Sequence, residues 1–186
     1  LTPDADALTS LVAQIRIPTG SAGKVRNIDV LHMLFTVSGL RKSREFTQAV
    51  WRDSVEIEWK PRHRIRVMHP LHVLESRVQN AVGLLETKGS HVVTQAIWAV
   101  DVAREAIRRV LRQPGERERL GSLIRQVHKL AHGRAGRQVL HQHGIEVLDA
   151  IPIEDIRVAA PVHEPQQRAV GHALARRVAG TSGYGD

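Results

Sequence analysis

The chain contains no cysteine. That excludes a disulfide scaffold and thiolate metal sites, and it fits a reducing cytoplasm. Aromatic residues are scarce, with three Trp, one Tyr and two Phe, which argues against reading single-stranded nucleic acid by stacking bases on rings. No apolar run approaches the ~20 residues that span a bilayer, and the first residues do not read as a signal peptide. No membrane partner is therefore expected, and a cytoplasmic location is. Acids are the minority charge, 19 Asp+Glu against 27 Lys+Arg, for a formal charge of +8. Such a balance favours a polyanionic partner, either nucleic acid or nucleotide phosphates.

At 186 residues, 42% hydrophobic and 25% charged, the chain is long enough for one ordinary domain, or two small ones, with a real core. It opens on Leu1, and "LTPDADAL" reads as the junction of one element with a helix. Residues that precede Leu1 in the natural protein are therefore expected. Asp4 or Asp6 can cap a helix running to about Gln14, with Leu8, Leu11, Val12 and Ile15 on one stripe. "IPTGSAGK" is turn chemistry, and its Gly-Lys end lacks the first Gly, the spacing and the final Ser/Thr of a phosphate loop.

Lys24 to Phe35 reads as a strand with an acid in the middle. Asp is depleted in strands, and an unpaired buried charge is unfavourable. Asp29 therefore either lies on a wet face or points into a site. A short helix over about 44–50 is expected next. In "SVEIEW" Val55, Ile57 and Trp59 alternate with Glu56 and Glu58, which predicts a half-buried strand. "IRVM" predicts its partner, with Ile65 and Val67 inward and Arg64 and Arg66 outward.

The pattern then turns helical. Leu71, Leu74, Val78, Val82 and Leu85 mark one face, and Val93, Ala96, Ile97, Val100, Ala103, Ile107 and Val110 another. Residues from 114 continue helical, "IEVLDAIP" is too short to assign, and "QQRAVGHALARRV" is a last basic amphipathic helix. Strands first and helices after predict an α+β chain: residues 1–69 an α/β part, 70–180 a helical module, and 181–186 a tail.

Among the eleven histidines, "HQH" at 141–143 and the pair His69/His72 have usable metal-ligand spacings. Neither has a partnering carboxylate or an HExxH arrangement, so solvated or phosphate-facing histidines are the favoured reading. Arg77 and Asn80 are three apart, hence neighbours on one helix surface, and a guanidinium beside an amide suits a phosphate or carboxylate. The same pair also suits a surface network that fixes the junction between the two parts.

The strand with "IDVL", the "VSGL" turn, a short helix and strand, and then "VMHPLHVLESRVQN" opening a helical region together resemble a bacterial nucleotidyltransferase-fold protein. The nearest group is the AbiEii-like, toxin-related branch of the DNA polymerase β-like superfamily. "AIWAVDVAREAIRRVL" and the "GIEVLDAIP…ARR" ending are similar to its helical half, so the resemblance covers most of residues 1–178. It implies a small nucleotidyltransferase-like sheet and transfer of a nucleotidyl group from an NTP to a nucleic-acid or protein acceptor. It also implies two divalent metals, Mg2+ or Mn2+, held by three carboxylates.

Asp29 matches the third of those carboxylates and is the implied catalytic and metal residue. Arg77 falls where many relatives carry a helix Lys on the nucleotide phosphates, and Asn80 and Lys88 are expected to join it. The expected Gly-Ser and D-x-D do not occur upstream of Asp29, and "DAD" at 4–6 reads as a cap. Lys88 is followed by Gly89 where a Lys-Asp pair is expected, with Gln95 and Asp101 as loose substitutes.

Implied partners are an NTP, tRNA or another nucleic acid, and a cognate antitoxin. The alternative is a catalytically silent module of the same fold that binds nucleic acid or protein. Arg64, Arg66, Arg104, Arg108, Arg109 and Arg112 would then grip backbone phosphates. A structural or regulatory subunit without ligand is the third reading.

Overall fold

A computed structural model describes residues 11–18, 25–159 and 168–175. β1 (Leu11–Pro18) and β2 (Val25–Leu31) form one antiparallel hairpin. The helix expected to run to Gln14 is therefore a strand over its described part, and its proposed caps, Asp4 and Asp6, lie outside the described residues. Leu11, Ala13, Ile15 and Ile17 also alternate along the chain. A partner strand in register with them (Ile15 opposite Ile28, Pro18 opposite Val25) outweighs the local helical spacing.

β2 stops at Leu31 rather than running to Phe35. The segment beyond it finds its hydrogen bonds elsewhere. Leu34 N–H donates to Thr47 Oγ1 at 2.8 Å, Thr36 N–H to Ser43 Oγ at 3.1 Å, and Val37 N–H to Gln79 Oε1 at 3.0 Å. Backbone donors taken by side chains are no longer available to a ladder. The helix that supplies two of those acceptors, α1 (Leu40–Arg52), is longer than the expected 44–50 and buries Ser43 and Phe46.

β3 (Val55–Lys60) and β4 (His63–Val67) make a second, separate antiparallel hairpin, with Glu56 opposite Arg66 and Glu58 opposite Arg64. The alternation correctly marks a strand, but the expected burial is overturned. Every residue of β3 is exposed, Ile57 at 40% and Trp59 at 65%, and Ile65 of β4 is 39% exposed. The four strands form two two-stranded sheets among the described residues, and no described element covers a face of β3–β4. Arg66 lies 5.4 Å above the Trp51 ring, a cation–π contact at the foot of the hairpin.

From Pro70 onward the described chain is helices and short links. These are α2 (Pro70–Gly83), α3 (Leu85–Lys88), α4 (His91–Arg112), α5 (Leu120–His132), α6 (Arg134–His143) and α7 (Ile153–Ala159), with a last helical segment over 168–175. No helix among the described residues is long and apolar enough to cross a membrane. Coarsely, the chain is α+β. α4 sits centrally and buries Val92, Ala96, Ala99, Val100, Ala103, Ile107 and Leu111. Ile97, expected on that stripe, is 48% exposed, because the buried line runs from Ala96 through Val100 and Ala103 at the 3.6-residue period.

Against α4 pack Leu71, Leu74 and Val78 of α2, and the short 3-10 turn Val147–Ala150. "IEVLDAIP", unassigned from sequence, supplies Ile145, Val147, Leu148, Ala150 and Ile151 to the core. Gly136 lets α6 close on the end of α5: a Cβ there would stand 2.2 Å from Leu130 O, so only glycine fits.

Leu148→Ala should lower the stability of the chain by about 2–5 kcal/mol, because it leaves a cavity in a fully buried site. Ile57→Thr on the exposed hairpin should change it by roughly 0.5 kcal/mol or less. Urea unfolding of both variants tests the division between core and hairpin, and equal losses would refute it.

Candidate functional site

α2 carries two different flanks beside its buried stripe. His72, Glu75 and Gln79 lie on one side of the Leu71–Leu74–Val78 line, and Arg77 lies on the other. The first flank faces α1, α5 and the α5–α6 junction across a cleft of about 440 Å³. That size falls within the range of small-ligand sites. Lys42, Glu45 and Arg52 enter it from α1, Lys129 from α5 and Arg134 from the start of α6.

Several of these charges are already matched. Lys42 Nζ lies 2.6 Å from Glu45 Oε2, and Arg52 Nε donates to Asp53 Oδ1 at 2.8 Å. His72 Nε2 lies 3.1 Å from the other oxygen of Asp53. The Arg52 hydrogen bond, with His72 adding to it, holds the Asp53 carboxyl at about 2 against a partial opposing effect of burial. Lys129 and Arg134 meet no acid at ion-pair distance among the described residues. Arg134 makes a long bond, 3.5 Å, to Val37 O.

Glu75 is the acid that faces them. Burial raises its pKa above the ordinary value, against the weaker pull of His72 and Lys129. Gln79, one turn on, spends its Oε1 on Val37 N–H and thereby holds the 32–37 link over the cleft. A cleft with two cations unmatched among the described residues, a Glu75 carboxyl whose pKa burial raises, and amide and hydroxyl groups (Gln79, Gln126, Thr36, Ser38) suits an anion better than a cation.

Compared with known proteins, the chain matches no family model, no curated protein and no solved structure.

The residues singled out from sequence fall elsewhere. Asp29 stands in β2 opposite Gln14, and its side chain lies outside the described residues. Among the described residues, no group of three or more His, Asp or Glu side chains is placed to hold a metal ion, so the two-metal centre implied by the resemblance finds no support there. Arg77 and Asn80 lie on α2 and Lys88 at the end of α3, and none of the three lines the cleft.

Three of the four α4 arginines are held within the chain. Arg104 pairs with Asp101 at 2.9 Å and donates to Asp149 O, Arg108 pairs with Asp155 at 2.8 Å, and Arg112 pairs with Glu105. Arg64 pairs with Glu56 at 3.0 Å. Lys42, Lys129 and Arg134 were not singled out. The i, i+4 pair Glu75 and Gln79 was a readable signal, but nothing local announces that α5 and α1 flank it.

At the helix entrance His69 caps α2: its Nδ1 accepts from Leu71 N–H at 3.2 Å, with Pro70 at the first helical position. Only an imidazole unprotonated at Nδ1 can accept that bond. Burial, with His72 and Arg119 adding to it, lowers the His69 pKa from 6.5. An unfolded chain then binds the proton more readily than the folded one, so this contribution is complete above 6.5 and fades as the pH falls through the lower folded value. His69→Asn, which caps without titrating, should flatten the loss of melting temperature between about pH 7 and 5. An unchanged slope would exclude His69 as its source.

Glu75 has the opposite sign. Its folded pKa is raised, so the carboxylate disfavours folding once the pH exceeds the ordinary 4.5 and is neutral in its effect below it. Glu75→Gln should raise the melting temperature near neutral pH and leave it unchanged near pH 4. A lower melting temperature at neutral pH would mean that Lys129 and its neighbours stabilise the ionised form.

Proposed function

We propose that the chain is a nucleotidyltransferase-like protein that holds the phosphates of a nucleoside triphosphate in the α1–α2–α5 cleft. The observation that carries this reading is the convergence of Lys129 and Arg134, without matching acids at ion-pair distance among the described residues, on a cleft of about 440 Å³. Arg134 offers a planar fork suited to two phosphate oxygens, and Lys129 a compact charge. Of the acids lining the cleft, Glu45 and Asp53 are already paired with Lys42 and with Arg52 and His72, and burial raises the pKa of Glu75, which disfavours its charge opposite a ligand.

Transfer of the nucleotidyl group, with Mg2+ or Mn2+ and Asp29 as a metal carboxylate, is what the resemblance adds. The described residues bear on phosphate binding. For binding of tRNA or another nucleic acid through Arg64, Arg66, Arg104, Arg108, Arg109 and Arg112, four of the six guanidiniums (Arg64, Arg104, Arg108 and Arg112) are each matched by an acid within the chain.

ATP, GTP, CTP and UTP, each with Mg2+, should raise the melting temperature of the chain by mass action. The double variant Lys129→Ala/Arg134→Ala should weaken that binding by about tenfold or more, since a hydrogen bond to a charged group contributes ~1.5–3 kcal/mol. Arg109→Ala on α4 should leave it unchanged. No shift with any nucleotide, or full binding by the double variant, would reject the cleft as the phosphate site. Asp29→Asn should abolish Mg2+-dependent transfer from a labelled NTP while preserving nucleotide binding. Transfer that survives this change would end the catalytic part of the proposal.

A further inference from the structure

Gln79 is withdrawn almost wholly from water, with 7% of its surface exposed. Its Oε1 accepts from Val37 N–H at 3.0 Å. A backbone N–H can only donate, so this bond decides which end of the amide is oxygen and which is nitrogen. The 32–37 link that supplies the donor is anchored at other points too. Leu34 N–H and Thr36 N–H go to Thr47 and Ser43 of α1. The Phe35 ring lies against Gly83, one turn beyond Gln79 on α2, so closely that a Cβ there would stand 2.5 Å from it. Turning the Gln79 amide over would therefore break its bond to a link that is pinned on both sides.

The nitrogen end is in a different position. Nε2 carries two N–H donors and meets no acceptor at hydrogen-bond distance among the described residues. Nor is it sealed in: Gln79 lines the cleft of about 440 Å³ together with Lys129 and Arg134. A largely buried amide with its donors unused is unfavourable unless water or a ligand completes its bonds. With the oxygen turned to the link, the group offered to a ligand is a donor. A neutral donor beside two cations suits an anionic oxygen and disfavours a ligand group that itself donates.

We infer that Gln79 is a ligand-binding residue whose Nε2 donates to a phosphate oxygen in the cleft while its Oε1 keeps the 32–37 link in place. The inference rests on the phosphate reading of the cleft and adds a consequence to it. One rigid amide joins the ligand to the link, and its two hydrogen bonds polarise each other. Donation to an anion makes Oε1 a better acceptor for Val37 N–H. Thr36 and Ser38 flank Val37 and line the same cleft, so the ligand also steadies that wall of its own site.

The test uses the full chain labelled with nitrogen-15 and whichever of ATP, GTP, CTP and UTP, with Mg2+, most raises its melting temperature. The side-chain amide signal of Gln79 is identified by its loss in Gln79→Met, or in Gln79→Glu if the Met variant fails to fold. Nucleotide should move that signal downfield and slow the exchange of Val37 N–H with solvent. Gln79→Glu keeps an acceptor for Val37 but loses the donor, and Gln79→Met loses both. Each should weaken nucleotide binding by about tenfold or more, the worth of a hydrogen bond to a charged group. Gln48→Met, at an exposed amide of α1 outside the cleft, should leave binding unchanged. An amide signal that stays in place while nucleotide raises the melting temperature would overturn the role of Gln79 and leave the phosphate site standing. So would native affinity in either Gln79 variant. No melting shift with any nucleotide would instead reject the phosphate reading, and this inference with it.

Discussion

Burial of one face of α4 is the constraint from which the rest of the arrangement follows. A 22-residue helix with Ala96, Ala103 and Ile107 wholly removed from water must be covered along its length, because leaving such a stripe wet would forfeit most of the driving force for folding. α2 covers one part and the 147–151 turn another, while α5 and α7 close the remainder. The small residues Ala96, Ala99 and Ala103 let these neighbours approach closely. With α2 committed by Leu71, Leu74 and Val78, its His72–Glu75–Gln79 flank has only one direction left to face. The cleft with α1 and α5 is thus a by-product of core packing.

The positive charge of the chain works differently from what its total suggests. A net +8 invites the picture of a basic face, yet Arg104, Arg108 and Arg112 are each drawn onto an acid of α4 or of the 149–155 region. These pairs are largely solvent-exposed and contribute little stability one by one. They do, however, neutralise the surface on which a polyanion would dock. Charge that is left without an acid among the described residues collects instead where helices of different sequence position meet, at Lys129 and Arg134. A field is useful to a ligand only where it is unmatched and sheltered, and a partly enclosed cleft supplies both conditions.

The exposed hairpin β3–β4 shows the limit of reading burial from alternation. Val55, Ile57 and Trp59 satisfy every local condition for one wet and one dry face. Dryness requires another layer, and none of the described elements provides it. The same limit applied at the N-terminal hairpin, where a helical spacing over Leu8–Ile15 and a strand alternation over Leu11–Ile17 coexist in the same residues. Pairing with Val25–Leu31 decided between them.

By itself the sequence determined the elements whose signal is local. The α2 and α4 stripes follow from 3.6-residue periodicity, the β3–β4 hairpin from alternation about a Pro-Arg turn, and the change from strands to helices from the pattern shift at Pro70. Off-stripe positions such as Glu75 were visible too, since helical spacing alone places them. Tertiary structure decided what depends on partners far along the chain. It brought Lys129 and Arg134 opposite Glu75, tied Val37 to Gln79 across 42 residues, placed "IEVLDAIP" in the core, and set His172 beside His128. Periodicity specifies which way a side chain leaves its own helix, but what it meets there is chosen by how the other helices satisfy their own buried faces.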